Sequence, residues 1–147
     1  MTFSELMQMT RMYTRDTNSY VFTESQIKLF INQAIDRIKH YNKAFSGMKK
    51  LVNVGDVPNI LPEEYHYLLA IFAASRLFDI DERHYEGVEK RNEFESAMLD
   101  LIAEIEAGNI VLKDTDENGN TFVVTDGSTY IEYIKDEYFN ARREGEL

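Results

Sequence analysis

The chain contains no cysteine and no tryptophan, and only two prolines and seven glycines in 147 residues. Without a thiol there is no disulfide, no thiolate metal site and no cysteine nucleophile; a cysteine-free chain fits synthesis inside a cell. Long apolar runs are missing too. The longest, YLLAIFAA from Tyr67 to Ala74, falls well short of the ~18 residues that a membrane span requires, so it reads as a segment of core helix and no membrane partner is expected. Glu5 and Gln8 break the opening MTFSELMQMTR before an apolar region can form, and no signal peptide is expected there. His40, His66 and His84 lie far apart and form no His-x-x-x-His pair, which leaves a helical zinc site without support. Phosphate-loop, nucleophile-elbow and dinucleotide fingerprints are all absent. Neither an enzyme nor a cofactor is implied.

What is present is a globular composition, 44% hydrophobic with 12% aromatic residues, in a length that suits one core rather than two. The net charge of −10 is unevenly spread. Residues 1–50 hold eight Lys and Arg against four acids, and residues 51–147 hold eight against twenty-two. An acidic body argues against sequence-reading DNA binding, which needs a basic footprint. One basic and one acidic region allow copies of a chain to pack head to tail with complementary fields; the plainer alternative is two solvated helix faces.

Hydrophobic spacing gives the elements. Thr2 with Glu5 is a capping box opening a helix of about a dozen residues with Phe3, Leu6, Met7 and Met9 on its apolar side. A second box, Thr23 with Gln26, opens a helix whose stripe runs from Ile27 through Phe30, Ile31, Ala34, Ile35 and Ile38 to Tyr41 and Phe45, ending at Gly47. A short extended stretch is expected around Leu51 to Val54. Pro62 is expected at the first position of the next helix, which is apolar nearly all round and must lie at the centre of the fold. A fourth helix is expected from Asp79 or Asp81 to Glu106, burying Tyr85, Val88, Phe94, Met98, Leu101, Ile102 and Ile105. The acids of DIDERHYE read as its caps and first turn rather than as a catalytic cluster.

The segment KDTDENGNTFVV poses a choice. Asp114, Asp116 and Asn118, with Gly119, match the front of a calcium-binding EF-hand loop, but the twelfth position is Thr125 where a bidentate Glu is needed. The flanks are rich in Val, Ile, Thr and Phe, and Asn118-Gly119 favours a type I′ hairpin with Glu117 facing Asn120, Thr115 facing Phe122 and Lys113 facing Val124. A calcium-binding regulatory protein using Asp114–Thr125 is the alternative function, with those three residues the weak metal candidates. After Asp126-Gly127-Ser128 comes a last amphipathic helix. Its Tyr130, Tyr133, Ile134, Tyr138, Phe139, Arg142 and Arg143 are of the types that dominate protein interfaces. The expected fold is therefore mainly α: a four-helix bundle-like core over residues 1–108, then a β-hairpin and C-terminal helix over 109–147 forming a docking arm.

Over roughly residues 1–108, this layout resembles the head–tail connector (adaptor, or head completion) proteins of tailed bacteriophages. The likeness lies in FTESQIKLFINQAIDRIKHY, with its Phe30-Ile31-Asn32-Gln33-Ala34 core, placed after a short first helix. It continues in the Ala-rich stretch from Ala70 to Arg76, followed by a long helix with Tyr85 and Phe94. The resemblance implies a virion protein made in the host cytoplasm and sited in the neck. It would form a homo-oligomeric ring, often of twelve copies, below the portal protein. The ring extends the DNA channel, passes DNA without sequence-specific binding and meets the next neck or tail-completion protein. Docking on the portal through C-terminal extensions fits the arm, while the hairpin departs from the family layout. Carboxylates facing the lumen would repel phosphates and let DNA slide.

Overall fold

The computed structural model describes residues 1–17 and 21–124. The chain is mainly helical, with four α-helices followed by one antiparallel hairpin among the described residues. Helix α1 spans Phe3–Thr14 and α2 spans Glu24–Lys39. Both capping boxes form as the sequence requires: the Thr2 and Thr23 side chains accept from the N–H groups of Glu5 and Gln26, whose side chains return the bond. Two further N–H groups of the first turn of α1, those of Phe3 and Ser4, donate to the carbonyls of Asp56 and Val54 at 2.7 and 2.9 Å. The 51–56 connection is thus held as a turn against a helix start and forms no strand.

The stripe of α2 does not continue to Gly47. The helix ends at Lys39, and Phe45 is buried instead from a 3-10 turn, Lys43–Phe45, capped by the Asn42 side chain. The third helix, α3, spans Tyr67–Ile80. Pro62 does not start it but precedes a separate 3-10 turn, Glu63–Tyr65. Helix α3 touches α1, α2 and α4, and every residue from Leu68 to Ser75 is buried, as its all-round apolar composition demands. Three small residues, Ala70, Ala73 and Ala74, are wholly buried there and let its neighbours approach closely.

The last helix, α4, spans His84–Glu106 and begins later than its acids imply. Asp79 belongs to the final turn of α3, and Asp81 caps its C-terminus. Glu82 at φ 59° turns the chain through the left-handed region. The N–H of Arg83 reaches back to the Phe78 carbonyl at 2.8 Å, closing the helix end. The buried side of α4 is Gly87, Phe94, Met98 and Leu101, with Ile102 and Ile105 half-buried. Tyr85 and Val88, expected on that side, are 85% and 45% exposed. Nine residues of helix turn through about two and a half revolutions, so Tyr85 and Phe94 necessarily point in opposite directions.

The hairpin pairs β1, Leu112–Thr115, with β2, Thr121–Val124. Its register is shifted by one from the expected one: Leu112 faces Val124, Lys113 faces Val123, Asp114 faces Phe122 and Thr115 faces Thr121. The turn has three loop residues, Glu117 to Gly119, closed by Asp116 N–H to the Asn120 carbonyl at 2.9 Å. Gly119 alone takes a positive φ, 84°, where a type I′ turn would need two. The cause is Asp116, whose Oδ1 accepts from the N–H groups of Asn118 and Asn120, both at 2.9 Å, and so winds the turn around a side chain. Leu112 is buried in the main core and Val124 packs against it, so the base of the hairpin joins the helices.

Candidate functional site

An open cleft of about 840 Å³ lies between the 57–64 connection and the start of the hairpin. Its floor is unusual. Ile60 is held at φ 68°, a conformation that costs a β-branched residue about 1–3 kcal/mol. Three contacts fix it there. Its side chain is buried, its Cδ1 lies so near Gly47 that a Cβ on that glycine would be 3.2 Å away, and its backbone bridges Lys113. Asn59 beside it accepts from the Lys49 N–H at 2.8 Å and donates to the Gly47 carbonyl at 3.0 Å and to Asp114 Oδ2 at 3.2 Å. One amide thus ties two connections to the hairpin.

His66 closes the inner end of the cleft, 3% exposed. Its Nε2 donates to the Leu61 carbonyl at 2.8 Å, so its Nδ1 is the acceptor, facing the Met1 ammonium at 2.9 Å. Burial pushes its pKa down, more than the Leu61 bond raises it. With both ring nitrogens engaged, this imidazole braces the Met1 amine against the Leu61 carbonyl. The other walls mix Lys49 and Lys113 with Glu63 and Glu64 and with apolar Val57 and Ile110.

The weak calcium candidates are occupied by local bonds. Asp116 is spent on the turn, and Asp114 accepts from the Thr115 N–H as well as from Asn59. Among the described residues no three His, Cys, Asp or Glu side chains converge as a metal would require. Three of the four acids of DIDERHYE are paired: Asp79 with Arg91, Asp81 with Arg83 at 2.8 Å, and Glu86 with Arg83 at 3.5 Å. No helix among the described residues is long and apolar enough to cross a membrane. The docking residues Tyr130, Tyr133, Ile134, Tyr138, Phe139, Arg142 and Arg143 lie outside the described residues.

Asn32, the central residue of the Phe30–Ala34 motif, has a definite task. Its Oδ1 accepts from the Leu51 N–H at 2.8 Å and its Nδ2 donates to the Leu51 carbonyl at 2.9 Å, pairing with the backbone as a neighbouring strand would. The extended stretch expected at Leu51 is thereby replaced by a side-chain clamp. The feature that spacing misassigned is the outward side of α4, where Tyr85, Val88 and Leu99 stand exposed. A strict 100° progression from Phe94 finds it. Comparison of the chain with protein-family models, with curated proteins and with solved structures finds no match.

Proposed function

We propose that this chain is a structural virion protein of a tailed bacteriophage, a head–tail adaptor. It forms a ring below the portal, extends the DNA channel and provides the platform on which the tail attaches. In this reading the helices form a bundle-like core and residues 109–147 form the docking arm, ending in a helix.

The observation that carries the proposal is the order of parts across residues 1–108: a short boxed helix, a longer boxed helix with the Phe30–Ala34 motif, an Ala-rich buried helix and a long helix with an open side. Asn32 supports it by giving the motif a physical task, since clamping Leu51 sets the connection that caps α1. The open side of α4 supports it as well, because a helix that leaves Tyr85 and Leu99 in water offers contact area to another copy. The excess of acids beyond residue 50 suits a conduit for a polyanion.

The test is to mix the chain with the portal protein of the same virus and image the product. A symmetric ring of this chain seated on the portal is expected, with no seating once residues 128–147 are deleted, while the deleted chain keeps its helical circular dichroism. Portal particles that stay bare in the mixture, or a deleted chain that seats as well as the full one, would reject the adaptor assignment.

A further inference from the structure

Helix α4 is 23 residues long, about 34 Å at 1.5 Å per residue. Opposite its buried side runs a stripe of exposed, uncharged residues: Tyr85, Val88, Asn92, Ser96, Leu99 and Ala103. Tyr85 is 85% and Leu99 62% exposed. A helix side meant only for solvent is polar, so two large apolar groups in one uncharged stripe mark a contact face. Along one margin stand four exposed carboxylates, Glu89, Glu93, Asp100 and Glu104. Glu93 is paired with Lys90 at 3.3 Å, whereas Glu89 and Asp100 have no cationic partner among the described residues. The field there is negative: after burial, the charges of Glu104 and Glu64 push up the pKa of the neighbouring Tyr65 phenol.

The complementary charge is carried by the same chain. Lys39, Lys43, Lys49 and Lys50 fall within twelve residues, and none has a carboxylate partner among the described residues. We infer that the outward face of α4 seats a second copy of this chain, which sets its lysine-bearing segment 39–50 against the carboxylate row. The chain's own C-terminal residues 125–147 are a poorer occupant, since they hold six acids against three bases. Pairing of α4 with α4 of another copy would set one carboxylate row against another, which like charges oppose. On one protomer the two surfaces lie side by side, Leu99 sharing a shallow cleft with His40 and Tyr41, so the contact either closes reciprocally as a two-fold pair or, as the adaptor reading requires, repeats around a ring. It deepens the adaptor reading, on which it rests for closure into a ring, by naming the copy-to-copy interface.

The absence of cysteine makes the test direct. Leu99→Cys copies mixed in equal amount with Lys43→Cys copies and treated with a bismaleimide should give the unlike pair at well over the roughly twofold excess above each like pair that random encounter produces. Glu89→Lys with Asp100→Lys in one preparation, and Lys43→Glu with Lys50→Glu in another, should each weaken self-association roughly tenfold or more at low salt. Mixing the two restores it, because each reversed surface then meets its complement. An unlike pair at no more than about twice the yield of each like pair, as random encounter gives, variants that assemble as the parent does, or no rescue on mixing would overturn the inference. Cross-linking that appears only after residues 125–147 are removed would also overturn it, making the chain's own tail the occupant. The adaptor reading fails separately. A chain that rings the portal without charge rescue keeps that reading and loses this interface; rescue without portal seating does the reverse.

Discussion

Gly87 sits where α4 crosses α3, and the space for a side chain is already filled. A Cβ there would collide with the Asp79 carboxylate and come within 3.1 Å of the Ser75 carbonyl oxygen. The carbonyl is helix backbone and cannot yield, and the carboxylate is held by Arg91. Gly87→Ala is therefore expected to destabilise the fold by about 1–3 kcal/mol, the usual scale for overpacking, even though alanine gains up to ~1 kcal/mol in helix propensity. Urea denaturation checks it, with Gly55→Ala as the control. Nothing lies within 4 Å of a Cβ at Gly55, so that variant should be neutral or slightly stabilised. Equal midpoints for the two variants would show that the α3–α4 crossing tolerates a wider separation. The sequence marks Gly87 as a helix residue of low propensity, but the reason for it lies in a neighbour twelve positions upstream, which no local pattern displays.

At the level of elements, the legible features were those whose physics is local. Both capping boxes are reciprocal bonds within four residues, and α3 is apolar all round because it has neighbours on several sides. Apart from the helical phase of α4 and the early end of α2, the departures share one origin, a side chain that does something other than its type implies. Asp79 and Asp81 look like N-caps yet close the helix before. Asn32 stands in for a strand. Asp116 looks like a calcium ligand yet builds the turn, and by doing so shifts the register by one residue and reassigns the faces of both strands. The last case yields a measurable outcome. With Asp116 accepting two N–H bonds, millimolar calcium should leave the melting temperature unchanged, whereas a site that bound the native state would raise it. Asp116→Ala should destabilise the hairpin with or without calcium, seen as faster amide exchange over residues 112–124. A calcium-dependent rise in the parent that Asp114→Ala abolishes would instead make the loop a metal site.

For the whole molecule the question is which part folds by itself. The core draws on α1, α2, the 3-10 turn at Phe45, Met48, Leu51, Ile60, α3, α4 and Leu112, with half-buried Val124 at the end of β2 packed against it. The loop after α1 is closed from within as well. Asp16, 2% exposed, accepts from Arg11 and from the N–H groups of Val21 and Phe22. Such bonds cost several kcal/mol to leave unmade in a buried site. Among the described residues, the fully buried core side chains all lie between Phe3 and Leu112. A chain cut after Val124 is expected to melt cooperatively within about 3 °C of the full chain, a difference of no more than ~1 kcal/mol for a domain of this size. It should also keep near-ultraviolet dichroism, the signature of fixed aromatic packing. If the cut chain instead keeps its helices but loses that signal and binds a hydrophobic dye, residues 125–147 supply packing to their own body. Their tyrosines would then be spent within the molecule, leaving the segment unable to serve as the arm that grips a portal.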